Sequence, residues 1–520
     1  MFRIGSMRSA LTATAITLGL AVLSACGGAR DGGGSTQSGG TAAAESTVTF
    51  SIANPPTQLD PIATKNEIAD LTYLSPLFDG LTGLTDEKVA PRLAESYEAS
   101  EDGLTWTFKL RNGARFHDGT PIDAAAVVAN MQRALDARET NGILKSKLAR
   151  VSGVEAADEM TVVFKLSEPD PGLPATLAGP SLGIGSPAAF SKMGTAPVGS
   201  GPYVFESMSA DRVVYKRFQD YWDSGVAKAD KLVVLSIPDG KARMNALRSG
   251  QIDAANAQTY LSADIKEFQA DPKFQVVEEE SQSVMTLYLN TTHAPLDNPN
   301  VRRALNYAID REAINRDLLG GFCPPTNQPF PNGTGFVESV EGAYTYDPDK
   351  ARQILKEEGI TELKLEAIFL TSGTSQAIAP AIQAQMAKAG IQLKLTGVNS
   401  ADARPIFRSG KPDAMVHQVN AELDPSLTLK NNFLGLDSPG GVPDEIEKIA
   451  NEAIKAPLDS AERAQALAEF SKAIVETPTH VHICAVPSYF VGKTSVIGLD
   501  TMPWRSMTLN TDPRTLGIDH

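Results

Sequence analysis

Cysteine is almost missing from this chain, with 3 in 520 residues. That excludes a disulfide-dense scaffold and a four-cysteine zinc site. Positive charge is also in deficit: 47 Lys and Arg stand against 62 Asp and Glu, a formal net charge of -15. Such a balance repels phosphate backbones, so nucleic acid is excluded as a partner. The acids are spread along the chain, which reads as solubility. Catalytic signatures are not read in it either. No serine-nucleophile elbow and no Walker-type phosphate loop is picked out, and Gly183-Ile184-Gly185 lacks the third glycine of a dinucleotide turn. The expectation is a protein that is no enzyme and carries no cofactor.

The apolar run Ala10 to Ala25 is short for a membrane span, which needs ~20 apolar residues, and Thr12, Thr14 and Thr17 interrupt it. Arg3 and Arg8 precede it and small residues close it, the layout of a secretion signal over residues 1–25. Leu23-Ser24-Ala25-Cys26 resembles the bacterial lipobox, which implies a lipid on the Cys26 thiol and Cys26 as the mature N-terminus. Residues 26–46 are rich in Gly, Ser, Thr and Ala and have too few apolar side chains to order themselves. They read as a tether of ~25 Å r.m.s. span. The expected location is the cell envelope, on the outward face of the cytoplasmic membrane.

Cys323 and Cys484 remain. Outside the membrane they form either a disulfide or two buried thiols, and the sequence leaves both open. His480, His482 and Cys484 alternate, so a strand would carry all three on one face. Such a face could hold zinc or nickel. An inward-facing strand with a thiol explains the same pattern, and no metal is assigned.

The first half of the body is strand-rich. Residues 47–52, 104–110 and 161–166 alternate as strands, and Asp123 caps a helix running to about Leu135. The second half alternates helix and strand. Pro299 to Leu319 reads as one helix, Leu363 to Leu370 as a strand, Gln376 to Ala389 as a helix and Ile391 to Leu395 as a strand, and Asp459 with Glu462 resembles a capping box. Two unlike lobes imply a cleft between them. Chain crossings near Ser281 to Val284 and near Pro478 to Val486 would be its hinges.

Several segments, in order, resemble one family. They include Trp106-Thr107-Phe108-Lys109-Leu110-Arg111, Phe116-His117-Asp118-Gly119, Gly199-Ser200-Gly201-Pro202-Tyr203 and Val301-Arg302-Arg303-Ala304-Leu305-Asn306-Tyr307-Ala308-Ile309-Asp310-Arg311. The chain is similar to the bacterial extracellular solute-binding proteins of family 5, the peptide/nickel-binding components of ABC importers. The resemblance implies an α/β, two-lobed periplasmic-binding-protein-like fold (type II, cluster C-like) with mixed sheets and a first lobe split into two subdomains. It also implies a monomer that hands a small peptide-like solute to ABC permease subunits. Lobe I would span 47–282 and lobe II 283–484, with 485–520 returning to lobe I. Arg302 and Arg303 are expected to pair with acids on their helix.

Peptide-binding members of the family fix the peptide amine with an Asp three residues before the acid of an acidic-Pro pair. Here that pair is Asp424-Pro425, the expected Asp is Ala421, and the aromatic expected six residues before the pair's acid is Gln418. Glu422 can supply the charge from a shifted position. The alternative is a solute without a free amine, sugar-containing or capped, or a regulatory role. His417, Gln418, Asn420 and Glu422 are candidate contacts from lobe II. Asn54 and Gln58 are candidates from lobe I, and Tyr288 and Asn290 follow the first crossing.

Overall fold

A computed structural model describes residues 45–519, apart from 65–66, 87, 282, 421, 423, 436–437, 459 and 505–510. The secretion signal, Cys26, residues 27–44 of the tether, Ala421 and Asp459 therefore lie outside the described residues. Ser46, the last tether residue by composition, is held: its amide and hydroxyl both donate to Asp230 at 2.9 Å. No helix of the described residues is long and apolar enough to cross a membrane.

Strand Thr47–Ile52 turns Val48, Phe50 and Ile52 into the core because its apolar residues alternate with Thr and Ser. It lies at the centre of a seven-stranded sheet, parallel to Lys231–Ser236 on one side and Ala254–Ala257 on the other. The late strand Ser488–Lys493 is sewn into this early sheet, antiparallel to Ala254–Ala257 and Phe274–Glu279. A four-stranded antiparallel sheet forms the second subdomain and packs Phe108 and Phe164 against Val127 and Met131 of helix Ala124–Ala137. Asp123 caps that helix, accepting from the Ala126 amide at 2.7 Å.

The other lobe is built on a five-stranded mixed sheet, in the order Ile391–Val398, Leu363–Leu370, Ala414–Val419, Val284–Leu289, His480–Ala485. The chain passes from one sheet to the other between Glu279 and Val284, and back between Ala485 and Ser488. The second passage falls later than the stretch from Pro478 suggested, because His480–Ala485 pairs fully with Val284–Leu289.

Four further expectations change. The helix from Pro299 ends at Tyr307, because the Asp310 carboxylate accepts the Ala313 amide and starts a new turn at Arg311. Arg302 and Arg303 bind main-chain carbonyls rather than acids. Arg302 donates to Leu296, Asp297 and Pro478, and Arg303 to Glu476, so the two tie this helix to the end of Ala461–Glu476. That last helix is capped by Ser460, whose Oγ accepts the Arg463 amide at 3.1 Å. Finally, the ladder between Val284–Leu289 and His480–Ala485 shifts register between Met285 and Thr286. This bulge turns Cys484 into the core beside Val481 and Ile483, away from His480 and His482. Cys484 is disulfide-bonded to Cys323, with Cα atoms 5.3 Å apart.

Candidate functional site

In the five-stranded sheet, Leu363–Leu370, Ile391–Val398 and Ala414–Val419 run parallel, so their carboxyl ends share one edge. Val284 pairs there with both Val419 and Ala485, so the chain enters and leaves the lobe at that same edge. Helices Gly373–Lys388, Ser400–Arg408 and Pro425–Asn432 all begin at it. Open α/β sheets hold ligands outside such carboxyl ends.

The candidates from this lobe separate into two groups. Tyr288 and Asn290 are fully buried. The Tyr288 hydroxyl donates to Asn432 Oδ1 at 2.9 Å, and the ring meets His480 edge-on at 4.7 Å. Asn290 donates to the Gly410 carbonyl at 3.0 Å and accepts from Thr292, at the strand end remote from the shared edge. Their polar atoms serve the fold, leaving none to face a solute. His417 is buried with them, and burial, with Arg404 nearby, pushes its imidazole down to about 3. Burial likewise pushes His480 down to about 3 and His482 well below its ordinary value. These imidazoles are neutral members of the lobe's interior.

Gln418, Asn420 and Glu422 are half-buried at the edge itself. The Gln418 Nε2 has no hydrogen-bond partner among the described residues. Glu422 Oε1 accepts from Asn431 Nδ2 at 3.1 Å. Burial pushes the Glu422 carboxyl up to about 7; Lys147 opposes that shift, Glu67 adds to it, and Asn431 and Arg404 oppose it. Glu422 thus senses two residues of the other lobe.

In the first lobe, Asn54 is half-buried and its carbonyl accepts the Tyr73 hydroxyl at 2.7 Å. Gln58 closes a ring on Asp60, with its amide donating to the Asp60 carbonyl and accepting the Asp60 amide, both at 2.7 Å. Both of its polar ends are consumed there. The first-lobe groups within electrostatic reach of Glu422 are different residues, which no local pattern marks. Lys147 Nζ lies 2.8 Å from both oxygens of Glu67. Ser181 donates to Glu67 through its hydroxyl at 2.7 Å and its amide at 3.2 Å. Burial raises the Glu67 carboxyl, but Lys147 and Ser181 outweigh it and hold the group below its ordinary value. Asn141 fixes the helix bearing Lys147: its amide donates to the Ile62 and Thr64 carbonyls while its Oδ1 caps Gly142–Lys147. Contrary to the sequence reading, Gly179-Pro180-Ser181-Leu182-Gly183 does carry the Gly-x-Ser-x-Gly spacing. It forms a 3₁₀ turn rather than a strand-to-helix elbow, and its serine donates to a glutamate, with no histidine among its hydrogen-bond partners in the described residues.

The lobes also touch directly. Thr259 and Thr374 hydroxyls lie 2.9 Å apart, and Lys266 donates to the Gly320 carbonyl at 2.8 Å. A side chain at Gly172 would place its Cβ 2.9 Å from Asp424 Oδ2. Asp424 cannot yield, since it is buried and its other oxygen is held by Arg463 at 2.7 Å.

Residues 88–439 match the model of the bacterial extracellular solute-binding proteins, family 5 middle. The chain belongs to this family. It is 34% identical over 364 residues to the glutathione-binding protein GsiB of Escherichia coli K12, covering 68% of this chain and 70% of the relative. Among solved structures it resembles AgaA of A. tumefaciens R10 in complex with agropinic acid, at 27% identity and a TM-score of 0.78, covering 91% of this chain and 99% of that one. NikA of Brucella suis in complex with Fe(III)-EDTA superposes with a TM-score of 0.81 at 24% identity, covering 91% of this chain and all of that one, a likeness of fold. The two-lobed architecture is therefore that of family 5 binding proteins, which capture small solutes for ABC permeases.

Proposed function

We propose that this chain is the substrate-binding lipoprotein of an ABC importer and takes a peptide-like solute into the cleft between its lobes. The feature that carries the reading is Glu422 of one lobe lying within electrostatic reach of the Lys147–Glu67 pair of the other. Charged groups on both walls, half-buried and not joined to each other by an ion pair, give a solute polar partners that exist together only when the lobes close. Asn54, Gln418 and Asn420 complete the lining. The naming of GsiB for glutathione supports a peptide-like solute. Residues 1–25 would be the signal peptide and Cys26 the lipid-bearing N-terminus, placing a monomeric receptor beside its permease on the outward face of the cytoplasmic membrane. Lobe I would span 47–282 and 485–520, and lobe II 283–484.

Ala421 and Gln418, standing where the family's peptide binders place an Asp and an aromatic, favour a second reading, a sugar-containing or capped solute without an amine. The two readings part on Glu422→Gln. Calorimetric titration with a peptide pool should show at least a tenfold loss of affinity in the variant. Unchanged affinity would remove Glu422 from the amine-binding role.

A further inference from the structure

The two passages between the sheets run side by side. Glu279 pairs with Ser488 where they leave the seven-stranded sheet, and Val284 pairs with Ala485 where they enter the five-stranded one. A two-stranded ribbon twists and bends easily, so by itself it would let the lobes turn about several axes. A third attachment stands outside the ribbon. Phe322 lies in the chain between the two passages, yet it is 9% exposed and belongs to a core cluster of the other lobe. Among the described residues, every other member of that cluster comes from 235–276 or 489–491. The next residue, Cys323, is fully buried in the core of the five-stranded sheet and bonded there to Cys484. The border between the lobes thus passes between two consecutive residues.

The segment that carries Phe322 across is closely fitted. Gly320 and Gly321 take φ of 62° and 94°, the left-handed region that favours glycine. Asn315 holds the turn, its carbonyl accepting the Gly321 amide and its Oδ1 the Cys323 amide, each at 3.0 Å. From the first lobe, Lys266 donates to the Gly320 carbonyl at 2.8 Å, and a Cβ at Gly320 would fall 2.8 Å from Ser262 Oγ. The Phe322 ring meets that of Tyr489 edge-on, with centroids 5.2 Å apart. The Tyr489 hydroxyl in turn donates to Glu278 Oε1 at 2.9 Å. Glu278 is the last residue but one before the first passage, and Tyr489 is the second residue after the return. The ring on which Phe322 rests is therefore tied to both passages.

We propose that Phe322 is a fixed pivot of lobe movement. Keyed into the first lobe's core, it stays seated as the lobes open and close. With the two passages it makes a three-point bearing that confines the motion to one rotation, so the cleft walls meet in one register. The Cys323–Cys484 bond anchors the other end of the segment in the second lobe. Phe322 is a positioning residue in this role: it acts on the relation between the lobes, apart from any stability it adds to the core it enters.

The test measures the distance between the lobes by double electron–electron resonance in the mature chain. Spin labels are carried on a genetically encoded azide-bearing amino acid at Lys216 and Lys394, both exposed and one on each lobe's sheet. The native chain should give a narrow distance distribution, and Phe322→Ala should widen it at least twofold. Gly320→Ala, which crowds Ser262 and strains the turn, should widen it as well, and stands in for Phe322→Ala if that variant fails to fold. Phe268→Ala opens the same core from within the first lobe and should leave the width unchanged, with Phe268→Leu in its place if it does not fold. An unchanged width in Phe322→Ala, or in Gly320→Ala where that variant stands in, overturns the proposal. An equal widening in the Phe268 variant does the same, because it assigns the effect to lost core packing. No solute enters the measurement, so the receptor reading stands or falls separately.

Discussion

Glu422 and the buried histidines pull the pH dependence of stability in opposite directions. Glu422 has its carboxyl raised from an ordinary 4.5 to about 7 in the folded protein, so the folded state holds a proton there that the unfolded chain has lost. Its contribution is present at low pH and disappears as pH rises from about 4.5 to about 7. His417 and His480 are lowered from 6.5 to about 3, so the unfolded chain binds protons that the folded state refuses. Their contribution is present above 6.5 and is lost as pH falls toward about 3. With His482 lowered in the same direction, three imidazoles against one carboxyl put the stability maximum near pH 6.5. Thermal melting across pH 4 to 8 should rise to that point and then fall slightly. In Glu422→Gln the upper decline should vanish, and a decline that persists would assign it to another group. At this scale the sequence was half legible. The position of Glu422 beside Asp424-Pro425 could be read from the family pattern. Lys147 and Glu67 could not, since they lie 80 residues apart and pair only after Asn141 has tied helix Gly142–Lys147 to the 62–64 turn.

Elements with strong local rules agree with the sequence, and those decided by tertiary contact do not. Alternation fixed Thr47–Ile52 and Thr161–Leu166, and an Asp cap fixed the start of Ala124–Ala137. Periodicity carried through Asp310 because its apolar residues continue past the break, while the side chain that ends the helix acts as a cap. The strand His480–Ala485 was legible as a strand, but its bulge was not. One extra residue sends Cys484 to the opposite face, which separates it from the histidines and brings it to Cys323. The disulfide holds the 323–326 segment alongside the strand that leads back to the first lobe: Ala485 donates to the Pro324 carbonyl at 2.8 Å, and Thr326 to that of Ile483 at 3.1 Å. Phe322, the residue before it, packs on Tyr489 of the other sheet with ring centroids 5.2 Å apart. Closing a loop over a separation of 161 residues restricts the unfolded chain. Replacing both cysteines by serine should therefore cost about 2–5 kcal/mol in urea unfolding. A loss under about 1 kcal/mol would show that the bond is incidental to stability.

For the whole molecule, the fold class was legible because ordered family segments run through nearly the entire body, whereas the contacts between the lobes were not. Lobe contact depends on single positions such as Gly172, where the absence of a Cβ lets Asp424 approach, and no periodicity marks such a position. The role proposed for the two lobes is to enclose one small solute between Glu422 and the Lys147–Glu67 pair. The most direct test is native mass spectrometry of the mature chain purified from its own host, with the released molecule identified. The expected result is a single small solute carrying an amine and a carboxylate, retained in the native chain and depleted in Glu422→Gln. A chain that is empty in every preparation, and that no peptide, sugar or metal complex stabilises against heat, would contradict it.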